Sequence, residues 1–117
     1  MRSEPKGMRA EAKTLKRLGF RPTKASGAIA EKGDGRLDDW YLEIKTTEKD
    51  SRAIKLDELR KAAREARQEG LIPAFSVVFV SGNGDPRHDG GWVLISEHCF
   101  RDYKWLVEEN EPKEGTE

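Results

Sequence analysis

Cysteine is almost absent from this chain, with Cys99 its only one. That excludes an intrachain disulfide and a thiolate zinc cluster, and a lone thiol fits a reducing compartment. No apolar run approaches the roughly 20 residues needed to span a bilayer. The N-terminus lacks the apolar segment of a signal peptide, so a cytoplasmic protein is expected. Apolar residues are scarce, 35% against 38% charged, which demands an economical core and a strongly ionic surface. Also missing are an internal repeat, a phosphate-binding glycine loop, and any grouping of nucleophile, histidine and acid.

Net charge is absent only formally. The 22 bases and 22 acids cancel, yet residues 108–117 hold five Glu and one Lys, leaving 21 bases against 17 acids on residues 1–107. One domain over 1–107 and a disordered acidic tail over 108–117 are expected. Bases concentrate in residues 1–24, where Arg2, Lys6, Arg9, Lys13, Lys16, Arg17, Arg21 and Lys24 face only Glu4 and Glu11. That density suits a polyanion, or else an ordinary solvated helix face.

What is present is a hairpin that carries acids. From Asp39 onward polar and apolar residues alternate, so Trp40, Leu42 and Ile44 point to a core while Tyr41, Glu43 and Lys45 point to the other face. Glu43 and Lys45 stand roughly 6.5–7 Å apart along such a strand. If Asp38-Asp39 is a two-residue turn, Leu37 faces Trp40 and Asp34 stands opposite Glu43, with Cβ atoms about 4.5–5.5 Å apart. Asp-Asp is not the favoured turn pair, and a four-residue loop, the alternative, can keep the same opposition. Two carboxylates so placed repel unless a cation lies between them. A divalent metal with oxygen ligands is one solution and a solvated strand face is the other. Five carboxyl-x-Lys triplets occur, so the triplet alone decides nothing; Glu43-Ile44-Lys45 alone lies in an apolar alternating strand with a second acid opposite.

Around the hairpin, a helix is predicted from about Pro5 to Leu18, with Ser3 as N-cap, a stripe of Met8, Ala12, Leu15 and Leu18, and Gly19 as its stop. Glu11 falls between Leu15 and Leu18 on the helical wheel, either as a stripe-edge acid paired with a base or as a third carboxylate facing the hairpin. A second helix, about Leu56 to Glu69, turns Leu56, Leu59, Ala62, Ala63 and Ala66 inward. Ala74–Val80 reads as a strand buried on both faces, parallel to the hairpin strand through the crossover helix. Residues 82–91 read as a mobile loop whose Asp85, His88 and Asp89 make at best a weak metal set. Trp92–Ile95 forms a last strand, and Ser96 caps a helix to about Val107.

The order of Glu11 on a helix, Ser26-Gly27, Gly33-Asp34, Leu42-Glu43-Ile44-Lys45, a helix and a buried strand resembles the PD-(D/E)XK nuclease superfamily. Within it the chain is most similar to the archaeal-type Holliday-junction resolvases and their phage-encoded relatives, over roughly Gly7 to Val80. Glycine stands before Asp34 where the superfamily name has proline.

The resemblance implies a restriction-endonuclease-like α/β fold, with a mixed central sheet flanked by helices, and metal-dependent hydrolysis of DNA phosphodiesters. It implies catalytic roles for Glu11, Ser26, Asp34, Glu43 and Lys45. Mg²⁺, or Mn²⁺ in its place, would be held by Asp34, Glu43, the Ile44 carbonyl and Glu11. DNA contacts would come from Arg2, Lys6, Arg9, Lys13, Arg21, Lys24, Ser26 and Lys55. The implied partners are a four-way DNA junction and a second copy of the chain, cutting opposed strands to leave 5′-phosphate and 3′-hydroxyl ends. A repair or restriction-like nickase of the same superfamily, and a non-catalytic DNA-binding protein, are the competing expectations.

Overall fold

The computed structural model describes residues 6–24 and 31–110. Among them helix α1 (Lys6–Leu18) leads to strands β1 (Arg21–Pro22), β2 (Gly35–Leu37) and β3 (Trp40–Thr47). Helix α2 (Leu56–Gln68), strands β4 (Ile72–Val80) and β5 (Pro86–Leu94) and helix α3 (Glu97–Asn110) follow. The strands form one mixed sheet in the order β1-β2-β3-β4-β5. Strands β3 and β4 are parallel and the other neighbours antiparallel, so the expected α/β class holds. A parallel pair cannot be joined by a tight turn, and α2 supplies the crossover. No helix among the described residues is long and apolar enough to cross a membrane.

Alternation along β3 and β4 divides the core in two. On one face Leu42, Ile44, Ala74, Val78 and Val80 pack with Ala10 and Leu15 of α1. On the other, Tyr41, Phe75 and Val77 pack with Ala62 and Ala66 of α2. Residues Ala74 to Val78 are all buried, as the nearly all-apolar run predicts, with Ser76 its one polar member. The face assigned to polar residues is therefore also core: Tyr41 is fully buried there, because the small alanines let α2 lie close to the sheet.

The helix stripes shift from expectation. The inward face of α1 contains Ala10, Thr14, Leu15 and Leu18, whereas Ala12 is exposed, about 100° or more round the helix from most of that set. Glu11 lies on the same inward arc, half-buried. Leu56 is 57% exposed at the first turn of α2, before the helix reaches the sheet. That turn is secured by Glu58, whose carboxylate accepts the Lys55 N–H at 3.1 Å and pairs with Arg52 at 2.7 Å.

The predicted mobile loop is mostly strand. Only residues 81–85 turn, and β5 begins at Pro86, because its glycine at 90 serves a close approach rather than flexibility. A Cβ there would stand 2.6 Å from the Phe79 carbonyl, beside the irregularity in register between Val78 and Val80. The unforeseen β1 pairs Arg21 with Arg36 and Pro22 with Gly35, at the edge position where a proline is tolerated. Helix α3 continues past Val107 to Asn110. Ser96 caps it through an Oγ bond from the Cys99 N–H, and every side chain from Phe100 to Glu109 is exposed.

Candidate active site

The hairpin of β2 and β3 turns on Asp38-Asp39, with Leu37 paired to Trp40, Arg36 to Tyr41 and Gly35 to Leu42, which is the register the alternation predicts. Asp38 has φ 48°, the left-handed region that tight hairpin turns use and that Asp tolerates better than most side chains. One step further in this register, Asp34 stands opposite Glu43. Here β2 leaves the ladder. The Asp34 N–H reaches the Leu42 carbonyl at 2.8 Å, and its carboxylate Oδ2 accepts the Ile44 N–H at 2.7 Å. The side chain thus replaces a backbone acceptor, which ties Asp34 to the strand that carries Glu43 and Lys45.

Glu43 Oε1 lies 3.4 Å from the Lys45 ammonium, and Oε2 lies 3.3 Å from the Tyr41 hydroxyl. Burial raises the Glu43 carboxyl above its ordinary range and the Asp34 charge raises it further, while Lys45 and the Tyr41 hydroxyl pull it down. Burial also raises Glu11, followed by the charges of Asp34 and Glu43, with Lys45 opposing. Four residues chosen from the sequence, Glu11, Asp34, Glu43 and Lys45, therefore share one electrostatic field.

A fifth participant, Glu65 of α2, is not apparent from sequence. Its carboxylate accepts a very short hydrogen bond from the Tyr41 hydroxyl, and burial followed by this bond holds that hydroxyl protonated well above the usual tyrosine range. The available signal was Tyr41 itself, since a tyrosine on a covered face needs a partner for its hydroxyl.

The basic residues are less free than their density implies. Lys13 bonds Asp85 at 2.6 Å, with Arg9 3.9 Å from the same oxygen, so Asp85 belongs to α1 rather than to a metal set with His88 and Asp89. Those two side chains are 96% and 83% exposed. Arg21 grips Glu31 with both terminal nitrogens at 2.8 Å, and the Lys24 N–H joins them. Lys24 and Lys55 are exposed. Arg2, Ser26 and the side chain of Lys6 lie outside the described residues.

No family model, curated protein or solved structure matches this chain.

Among the described residues no set of three or more His, Cys, Asp or Glu side chains is placed to hold a metal ion as it stands. Magnesium asks for less. It commonly takes one or two carboxylates and completes its octahedron with waters and substrate phosphates. Asp34 and Glu43 fit that demand in donor chemistry; the Glu43 carboxyl is raised by burial first and by the Asp34 charge second, and a divalent cation would offset both. Two cavities of about 440 Å³ lie elsewhere, one by Arg21, Arg36 and Glu69, the other between α2 and β5; neither is lined by Asp34, Glu43 or Lys45.

Proposed function

We propose that this chain is a metal-dependent endodeoxyribonuclease of restriction-endonuclease-like fold, cytoplasmic, that resolves four-way DNA junctions by paired nicks. The observation that carries the proposal is the juxtaposition of Asp34, just before β2 and bonded to the Ile44 N–H, with Glu43 and Lys45 on β3, and with Glu11 in the same field. The motif order that resembles the resolvases gives it a substrate.

Asp34 and Glu43, with the Ile44 carbonyl and Glu11 beside them, would hold Mg²⁺ or Mn²⁺. The ion, when bound, supplies Lewis-acid activation of a water and neutralisation of phosphate charge. Lys45, 3.4 Å from Glu43, would orient or deprotonate the attacking water and offset charge on the phosphate. Cleavage between phosphorus and the 3′ oxygen leaves 5′-phosphate and 3′-hydroxyl ends. Arg9, Lys13, Lys24 and Lys55, with Arg2, Lys6 and Arg21, would contact backbone phosphates, and Ser26 the scissile one. A purely binding role draws less support, because the acids, which would repel a polyanion, are gathered together in one field with Lys45.

The working unit is a homodimer, since one acid cluster per chain must serve two opposed strands. Helix α3 leaves Phe100, Tyr103 and Trp105 56–61% exposed and carries Glu97, Asp102, Glu108 and Glu109 against Arg101 and Lys104, an acidic excess. The outer face of α2 carries exposed Arg60, Lys61, Arg64 and Arg67 beside an apolar groove lined by Leu59, Ala63 and Phe75. Opposite charge and matching apolar surface fit α3 of a second copy to that groove.

Incubating the purified chain with labelled DNA, with Mg²⁺ and with chelator, tests the proposal. Nicks that appear only with the ion support it, and DNA bound but intact under every divalent metal rejects it.

A further inference from the structure

We infer that Tyr41 is the positioning residue for both acids of the site, holding Glu43 through its hydroxyl and Asp34 through the packing of its ring tip on Gly33. The inference rests on the reading of Asp34 and Glu43 as ligands of a divalent ion. Tyr41 is fully buried, yet it touches both arms of the hairpin end. Its hydroxyl lies 3.3 Å from Glu43 Oε2. The same ring tip occupies the space beside Gly33, where a built Cβ would stand 2.6 Å from Cζ and 2.9 Å from the hydroxyl oxygen.

Gly33 itself has φ +75° and is pinned from its other side by the Thr23 hydroxyl, which bonds its carbonyl at 3.0 Å. Proline, with φ fixed near −65°, and any residue with a side chain are excluded there while Tyr41 stays. This accounts for glycine, rather than proline, before Asp34. Backbone position at 33 sets where the Asp34 carboxylate begins, so the ring spaces one acid while the hydroxyl aims the other.

The ring is in turn held by α2. Glu65 accepts the hydroxyl's hydrogen bond, and the Arg36 guanidinium lies 4.8 Å from the ring centroid while pairing with Glu69 at 2.5 Å. Glu65 and Glu69 are one helical turn apart, so a single face of α2 fixes the hydroxyl directly and the ring face through Arg36. One hydroxyl proton cannot serve two carboxylates fully. The shorter bond goes to Glu65, which fixes where the hydroxyl stands, and the longer 3.3 Å contact then sets the position of Glu43 Oε2.

Tyr41→Phe keeps the ring and removes only the hydroxyl, and Glu65→Ala removes its acceptor from a partly exposed helix face. Mn²⁺ binding to the full-length chain, followed by electron paramagnetic resonance, should weaken about 10- to 100-fold in both, the usual effect of losing a partner that orients a metal ligand. Glu65→Gln, whose amide oxygen still accepts the bond, should restore affinity. Melting without metal separates packing from positioning, because a merely structural role would lower the melting temperature and leave Mn²⁺ affinity unchanged. Wild-type affinity in folded Tyr41→Phe and Glu65→Ala overturns the inference alone, whereas a wild-type chain that binds no Mn²⁺ overturns the metal reading with it.

Discussion

The Asp34 carboxylate accepts the N–H of Ile44 at 2.7 Å, so one acid of the candidate site is bonded to the strand between the other acid and the lysine. The contact makes the spacing of Asp34, Glu43 and Lys45 a property of the β2 to β3 hairpin rather than of a flexible loop. Substitutions within this unit should therefore separate chemistry from binding.

Glu43→Gln and Asp34→Asn should each reduce cleavage roughly a hundredfold or more, the loss of several kcal/mol of metal-assisted stabilisation. Junction binding in a gel shift should persist, because phosphate contacts come from bases elsewhere. Asp38→Asn and Asp39→Asn, at the exposed turn, should cut at near-normal rates. A dead Asp39→Asn beside an active Asp34→Asn would reassign the metal ligand.

Stability should move the opposite way. Glu43 and Glu11 have raised carboxyls in the fold, through burial and then neighbouring charge. The unfolded chain ionises them first, so their contribution is fully present below the ordinary value of 4.5 and is lost as pH rises through the raised one. At pH 7 Glu43→Gln should be more stable than wild type by about 0.5–2 kcal/mol, a usual gain from removing a buried functional charge, and should melt at a higher temperature. The difference should shrink toward pH 4, and Mg²⁺ should raise the wild-type melting temperature but not that of Glu43→Gln. Calorimetry across pH 4 to 8 provides the check.

Asp85→Asn should tighten DNA binding by roughly two- to fivefold at low salt, because it releases Lys13 and Arg9 from an exposed ion pair. Titration of a labelled junction at two salt concentrations measures it. Binding unchanged by this substitution would place the polyanion away from the outer face of α1.

Assembly rests on α3. Phe100→Ser together with Tyr103→Ser should shift the chain toward monomer, raising the dimer dissociation constant roughly 30-fold or more if these residues anchor the interface. Light scattering at micromolar concentration would report it, and a wild-type chain that is monomeric there while cutting both strands would refute the dimer.

Much of the hairpin was legible because a two-residue turn and a period of two leave one register that buries Trp40, Leu42 and Ile44. The double burial of β4 was legible for a similar reason, since Ala74 to Val78 contains no residue that water must reach. Strand β5 was not, because Gly90 looks identical in sequence whether it provides flexibility or clears the Phe79 carbonyl. The role of Glu65 was hidden too, since one glutamate on a charged helix resembles any other until the sheet brings Tyr41 beneath it. Ion pairing of Lys13 with a residue 72 positions away is equally beyond periodicity.

The measurement closest to the central claim is cleavage of a four-way junction beside a linear duplex of the same sequence, in Mg²⁺, by wild type and Glu43→Gln. The account predicts paired nicks with 5′-phosphate ends on the junction, little cutting of the duplex, and neither product with Glu43→Gln. Equal cutting by Glu43→Gln, or no cutting of either DNA by wild type in Mg²⁺ and Mn²⁺, would contradict it.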